Sequence, residues 1–286
     1  MGLIREKMLT DMRIKNFSPH TQHAYLRYAR KFVEHHMRPP TDLGEEEVTK
    51  FLKYLMEEKQ IEPGTLRMYV ASIKFLYNVT LDRPWVVQRI PTPKVPKTLP
   101  DIPSGTEVTQ ILSAVRSLKH RAILTTLYAA GLRISEACSL CVTDIDANRG
   151  LIHVRLGKLK KDRYVPLSRK LLLLLREYWK VVHPPKPYLF PGGKPGAPIS
   201  RDAVGQALAK VVKRVGLTKH ITPHTLRHAY ATHLLELGTE VRVVQCLLGH
   251  SSPRSTNIYT HVTTDHVGRI SSPLDLLGTR KGEILK

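Results

Sequence analysis

The sequence predicts a mostly α-helical chain of two domains, with one small β-hairpin in the second. Three observations carry this. Apolar residues recur at three- and four-residue spacing along most of the 286 residues, the pattern of helices with one buried face. Residues 91 to 103, PTPKVPKTLPDIP, hold five prolines and read as a stiff extended connector. A single pair of strand-like runs, Leu151 to Leu156 and Arg163 to Val165, flanks the polar loop GKLKKD.

Residues 1 to 90 read as four or five short helices. Ser18-Pro19 is an N-cap followed by a proline suited to the first helical position. Behind it Ala24, Tyr25, Tyr28, Phe32 and Val33 form a stripe reaching about His36. The loop MRPPTDLG interrupts, and Val48, Phe51, Leu52, Leu55 and Met56 form the next stripe. Pro63-Gly64 interrupts again before Leu66, Tyr69, Val70, Ile73, Phe75, Leu76 and Tyr77. The tyrosines among Arg27, Arg30 and Lys31 read as core aromatics beside solvated charge.

The second domain spans residues 104 to 272. Ser104-x-x-Glu107 is a capping box and opens a helix to about Val115. The next helix runs from about Lys119 to Ala130 and stops at Gly131; Arg133 to Leu140 is expected to be helical. After the hairpin, Ser168 caps a leucine-rich helix to about Val182. Tyr188 to Phe190 reads as a short strand or extended turn, and Ser200 caps a helix to about Val215. Thr222-Pro223 opens a helix that Gly238 ends; Val241 to Leu248 forms another, broken by Gly249. Residues 273 to 286 form a tail with a small apolar cluster, Leu274, Leu276 and Leu277.

Charge narrows the function classes. The chain carries a formal +21, with +6 over residues 1–100 and +15 over 101–286. Both parts are therefore suited to a polyanion, and nucleic acid is the default partner. No run of 18 apolar residues is present, so no membrane span is expected. The odd set Cys138, Cys141 and Cys246, without a secretory signal, points to a reduced, cytoplasmic protein. Cys138-x-x-Cys141 lies in an apolar helical run without a second ligand pair, so it reads as core packing.

The chemistry concentrates between Thr222 and Val262. His224 and Arg227 lie three residues apart, on one face of a first helical turn. The backbone N–H groups of that turn also favour an anion. His250 stands at the break after Gly249, and Tyr259 follows nine residues later, after a second start signal, Ser252-Pro253. One cation, one titratable ring and a helix N-terminus thus converge on a place suited to phosphate.

These segments, HTLRHAYATHLL, LLGH and IYTH, together with Gly131-Leu132-Arg133-Ile134-Ser135-Glu136, resemble the signature of the tyrosine recombinases, the phage-integrase-type and Xer-like site-specific recombinases. The elements stand in that family's order over most of the chain. The resemblance implies an N-terminal helical core-binding domain (1–90), a linker (91–103) that lets two domains clamp duplex DNA, an integrase-type catalytic domain (104–272) and a C-terminal tail (273–286). It implies strand cleavage through a 3′-phosphotyrosyl link, strand exchange and religation. The expected assembly is a homo-tetramer on two DNA sites, a dimer per site, monomeric or weakly associated without DNA. In the family the segment after the tyrosine packs into a neighbouring protomer; for the leucines of this tail, docking on their own domain or a frayed end stays open beside that.

Roles follow for the matching positions. Arg133 and Arg227 are the candidates to hold the non-bridging phosphate oxygens, where paired hydrogen bonds offset the charge of a pentacovalent transition state. Tyr259 is the candidate nucleophile; a phenol with pKa near ~10 needs a base or nearby positive charge to attack at neutral pH. His224 is the candidate general base or acid, and His250 donates to the phosphate or orients the tyrosine. His228, His233 and His261 read as structural. Gly157-Lys158 matches the hairpin lysine that protonates the leaving 5′ oxygen, with Lys160 and Lys161 as competitors for that role and as DNA contacts. Lys94 and Lys97 are further backbone contacts, and Glu136 is expected to orient a catalytic partner. No carboxylate cluster, HExxH or phosphate-cradling glycine loop is present, so neither a metal nor a nucleotide cofactor is expected.

The helical unit begins almost at residue 1, so no additional arm-binding domain is expected. This favours a simple Xer or transposon-borne type, although the tail SPLDLL resembles integron integrases. Integration, excision and resolution stay open as roles. A type IB topoisomerase and a non-catalytic DNA-binding regulator are the alternative classes.

Overall fold

The computed structural model describes residues 2–96, 101–155, 162–249 and 272–276. The chain divides into two compact units, Met1–Leu99 and Pro100–Lys286.

The first unit is helical: α1 (Gly2–Ile14), α2 (Pro19–His36), α3 (Glu45–Glu57) and α4 (Pro63–Phe75), the last running into a π turn (Leu76–Thr80). Local chemistry sets the boundaries. The Ser18 hydroxyl accepts the Thr21 N–H at 3.2 Å and caps α2. Three glutamates, Glu45 to Glu47, fill the first turn of α3, where the helix dipole favours them. The Glu47 carboxylate also reaches back to the Gly44 N–H at 2.8 Å. Pro63 occupies the first turn of α4, so the pair that interrupts the apolar stripe is the start of the next helix. The stripes meet in an aromatic core. Phe32 packs edge-on against Phe51 with centroids 5.3 Å apart, and Phe51 against Tyr69 at 5.8 Å. The fully buried Tyr77 donates its hydroxyl to the Pro40 carbonyl at 2.9 Å.

The second unit is arranged around one helix. α5 (Gly105–Ser113) carries the Ser104–Glu107 capping box, with hydrogen bonds in both directions. α6 (Leu118–Ala129) opens with Lys119, His120 and Arg121 and is then enclosed on all sides, every residue from 122 to 132 being buried, as expected of a helix at the centre of a core. α7 (Ile134–Ser139) follows, with Arg133 as its N-cap and not its first turn. Three short antiparallel strands come next: β1 (Ile145–Asp146), β2 (Leu151–Val154) and β3 (Arg163–Pro166), in that order. The register pairs Val154 with Arg163 and Leu151 with Pro166. β1 is absent from the sequence-based expectation because two residues show no periodicity. Tyr188 makes an isolated bridge to Cys141, and Cys138 is buried and unpaired with another cysteine. Around α6 lie α8 (Arg169–Val182), α9 (Arg201–Arg214) and α10 (Pro223–Glu236), and α10 meets α11 (Val241–Leu248). Their caps are those expected: Ser168, Ser200 and Thr222 each accept an N–H three residues on.

The start of the tail, α12 (Pro273–Leu276), packs on its own unit, against α6, α8 and α10. Leu274 is buried in that core. The Ser272 hydroxyl donates to the Ala129 carbonyl at 2.7 Å. The Asp275 carboxylate accepts the Ser168 hydroxyl at 2.5 Å and the Lys170 N–H at 3.2 Å. In this single chain Leu274 fills apolar space between three helices, and the Asp275 carboxylate sits at the start of α8, as the self-docking reading expects. Leu277 lies outside the described residues.

Candidate active site

Two helix starts and one helix end build the site. Gly131, at φ 59°, turns the chain out of α6. A Cβ there would lie 2.3 Å from the Tyr230 ring, so only glycine fits both the backbone and the packing. The turn sets Arg133 at the N-cap of α7, with extended backbone, and Glu136 three residues on. α10 brings His224 and Arg227, and the end of α11 brings the carbonyls of residues 247 to 249.

Glu136 is the hub, 7% exposed. It accepts the Arg133 N–H at 2.9 Å and the Arg133 Nη1 at 2.7 Å. It also accepts both terminal nitrogens of Arg163, at 3.1 and 2.8 Å, and Arg227 Nη1 stands 3.8 Å away. Burial pushes this carboxyl up, but the hydrogen bonds and charge of Arg163, then the bonds from Arg133, outweigh it and hold its pKa at about 2. The result is one carboxylate among three guanidiniums, a local excess of positive charge.

The three arginines share a second partner. A helix ends with carbonyls that have no helical donor and carry the negative end of its dipole. At the end of α11, Leu247 O accepts Arg163 Nε at 2.7 Å, Leu248 O accepts Arg227 Nη2, and Gly249 O accepts Arg133 Nη2 at 3.0 Å. Arg227 also donates to Gly131 O at 2.7 Å. Arg133 and Arg227 differ in access. The Arg133 side chain is 36% exposed, whereas that of Arg227 is 4% exposed. Burial, then the neighbouring Arg133, pushes Arg227 down to about 10, with Glu136 opposing, so it stays cationic at neutral pH.

His224 lies on the exposed side of the first turn of α10, its ring 4.4 Å from that of His228. Partial desolvation, then the charges of His228, Arg227 and Arg133, lower its pKa, which favours a neutral imidazole able to take a proton. His233 instead shares a hydrogen bond with the Tyr128 hydroxyl at 2.9 Å.

The described residues thus bring together Arg133, Glu136 and Arg227, with His224 within electrostatic reach. Lys158, Lys160, Lys161, His250, Tyr259 and Lys97 lie outside the described residues, and Lys94 is exposed in the first unit. Among the described residues no group of three or more His, Cys, Asp or Glu side chains is placed to hold a metal ion, and no helix is long and apolar enough to cross a membrane. Arg163 is the residue that sequence reasoning misses. Its signal is faint: a strand-borne arginine beside a motif glutamate that burial forces to find a partner.

A carboxylate-organised cluster of arginines beside helix termini, on a strongly basic helical chain, is suited to a phosphate group of nucleic acid. Comparison with known proteins makes this specific. Residues 104–266 match the phage integrase family, and residues 4–86 match the phage integrase N-terminal SAM-like domain. A Sinorhizobium fredii protein named as an integrase/recombinase, y4qK, is 49% identical over 97% of this chain and 90% of its own length. The tyrosine recombinase XerA of Pyrococcus horikoshii is 34% identical over 98% of this chain and 96% of its own. A lambda integrase (75–356) dimer bound to a core site shares the fold, with TM-score 0.72 and 16% identity over 92% of this chain and 98% of that one. The chain belongs to the phage integrase family: it is a tyrosine recombinase, and its activity is tyrosine-type site-specific recombination of DNA.

Proposed function

We propose that this recombinase cuts and rejoins one DNA strand at a time through Tyr259, using Arg133, Lys158, His224, Arg227 and His250. The Tyr259 oxygen attacks the phosphorus and gives its proton to His224. The bond from phosphorus to the 5′ oxygen breaks, and that oxygen takes a proton from Lys158. Arg133, with spare N–H groups and a solvent-reaching guanidinium, holds a non-bridging oxygen. Arg227 stands behind it; its direct contact with phosphate requires exchange of the Leu248 carbonyl for a phosphate oxygen. His250 donates the remaining hydrogen bond. The phosphotyrosyl ester keeps the energy of the broken bond, so the reverse attack by a new 5′ hydroxyl reseals the strand without ATP or a metal ion.

The observation that supports this best is the Glu136-centred cluster, which holds two motif arginines from separate helices at one place, immediately before His250 in the chain. In the division of labour we propose, residues 1–90 bind DNA, 91–103 link, 104–272 catalyse, and 273–286 form the tail. Lambda integrase has been seen as a dimer on a core site and as a tetramer on a Holliday junction. We carry the same stoichiometry over to this chain, acting on duplex DNA in the cytoplasm.

The experiment is trapping on a library of nicked suicide duplexes, in which the cleaved strand loses a short fragment and cannot be resealed. Sequencing the trapped DNA gives the site. Two copies of that site then recombine, with or without EDTA. Relaxation of supercoiled DNA lacking the site, without recombination, would support a topoisomerase instead.

A further inference from the structure

Arg163 sits where the hairpin meets the site. Strand pairing with Val154 directs its side chain inward, and that side chain is 9% exposed. It makes three hydrogen bonds: Nε to Leu247 O at 2.7 Å, Nη1 to Glu136 Oε1 at 3.1 Å, and Nη2 to Glu136 Oε2 at 2.8 Å. Gly249 confirms how close the approach is. It adopts φ 61°, and a Cβ on it would stand 3.1 Å from Arg163 Nη1.

The geometry has a consequence for Arg133. A carboxylate pairs best with a guanidinium through two parallel hydrogen bonds. Arg163 takes that two-pronged arrangement on Glu136 and leaves Arg133 a single side-chain bond to the same carboxylate. Without Arg163, Glu136 would have Arg133 as its nearest strong partner, and would draw toward itself the donors that a phosphate needs. The turn at residues 247 to 249 would lose one of its three arginine donors, just ahead of His250.

We propose that Arg163 is a positioning residue for strand cleavage: by occupying both oxygens of Glu136 and the Leu247 carbonyl, it keeps Arg133 available to the phosphate and fixes the turn that leads to His250. The inference rests on the catalytic reading above. Lysine cannot replace it, because one ammonium on a flexible stem does not span a carboxylate and a carbonyl in a fixed fork.

The test uses the full chain and a nicked suicide duplex carrying the recovered site. Wild type, Arg163→Lys, Arg163→Met, Glu136→Gln and Arg163→Met/Glu136→Gln are compared. DNA affinity, the single-turnover cleavage rate constant, the fraction that reacts and the unfolding midpoint are measured for each. The expected result is a cleavage rate constant about 100-fold lower in Arg163→Met, the scale of a one-ångström misplacement. Arg163→Lys falls about tenfold, by the same reasoning. DNA affinity and the reacting fraction stay near wild type. In the Glu136→Gln background the same Met substitution costs less than tenfold, because the two residues act as one unit. A merely structural residue would lower the reacting fraction and the midpoint and leave the rate constant alone; that outcome overturns the proposal, as do fully multiplicative effects in the double variant. Normal cleavage by Tyr259→Phe, run alongside, would instead overturn the catalytic reading itself.

Discussion

Replacing Glu136 with glutamine removes one charge and almost no volume, which makes it a sharp probe of the site's construction. In the wild type this buried carboxylate accepts four hydrogen bonds from Arg133 and Arg163 and faces Arg227 at 3.8 Å. An amide supplies one acceptor oxygen and turns an NH2 toward guanidinium donors. Two routes give the magnitude. Breaking a buried ion cluster by removing one partner costs about 3–5 kcal/mol. Independently, Glu136 falls from an ordinary value of 4.5 to about 2, and at roughly 1.4 kcal/mol per pH unit this is on the order of 3 kcal/mol. For a unit of this size the midpoint should fall by roughly 6–20 °C. The sign with pH is fixed by linkage. The folded state binds the proton more weakly than the unfolded one, so the stabilisation is complete above pH 4.5 and disappears as pH falls toward 2. Thermal unfolding of both proteins from pH 7 to pH 3 is the assay. The gap between them should narrow on acidification. A glutamine variant within about 0.5 kcal/mol of wild type at pH 7, the range of an ordinary surface change, would refute the reasoning.

Four further outcomes follow from the same structure. Gly131→Ala meets both a left-handed backbone and the Tyr230 ring, and should lose about 2–5 kcal/mol in denaturant unfolding. Cleavage should decline as pH falls through the lowered pKa of His224, below 6.5, because the base becomes protonated; His224→Asn should lack that limb in a single-turnover pH profile. Leu274→Ala should cost about 2–4 kcal/mol, and the loss should not vary with protein concentration, since Leu274 packs within its own chain; a concentration-dependent loss would point to docking between protomers. DNA affinity should fall steeply with salt, by about 0.9 in log K per log salt for each phosphate contacted, and a flat titration would contradict backbone-dominated binding by a chain of charge +21.

Local chemistry made much of the fold legible in advance. Ser18, Ser104, Ser168, Ser200 and Thr222 each announce a helix because the cap and the N–H it accepts lie within one turn. The bounds of α11 follow from Gly249, which supplies the left-handed residue at its end. The motif arginines and Glu136 were visible through the family resemblance, but their sharing of one carboxylate was not: that depends on three segments far apart in the chain. For the same reason Arg163 gave only a faint signal, since neither Glu136 nor Leu247 is its neighbour in sequence. The depth of Arg227 was hidden too. An arginine at a helix start reads as exposed, and the carbonyls of Gly131 and Leu248 together with the Glu136 carboxylate make its burial tolerable. The tail was ambiguous because a few leucines pack equally well on their own chain or on another; in this single chain Leu274 fills the space between α6, α8 and α10.

The central claim is that Tyr259 carries the covalent bond to DNA. Its most direct measurement is mass spectrometry of the proteolysed adduct trapped on a nicked suicide duplex, for wild type and Tyr259→Phe. The account predicts a 3′-phosphate joined to the peptide containing Tyr259 in the wild type, and no adduct in the variant, which still binds the duplex. An adduct on any other side chain, or one formed at normal yield by Tyr259→Phe, would contradict it.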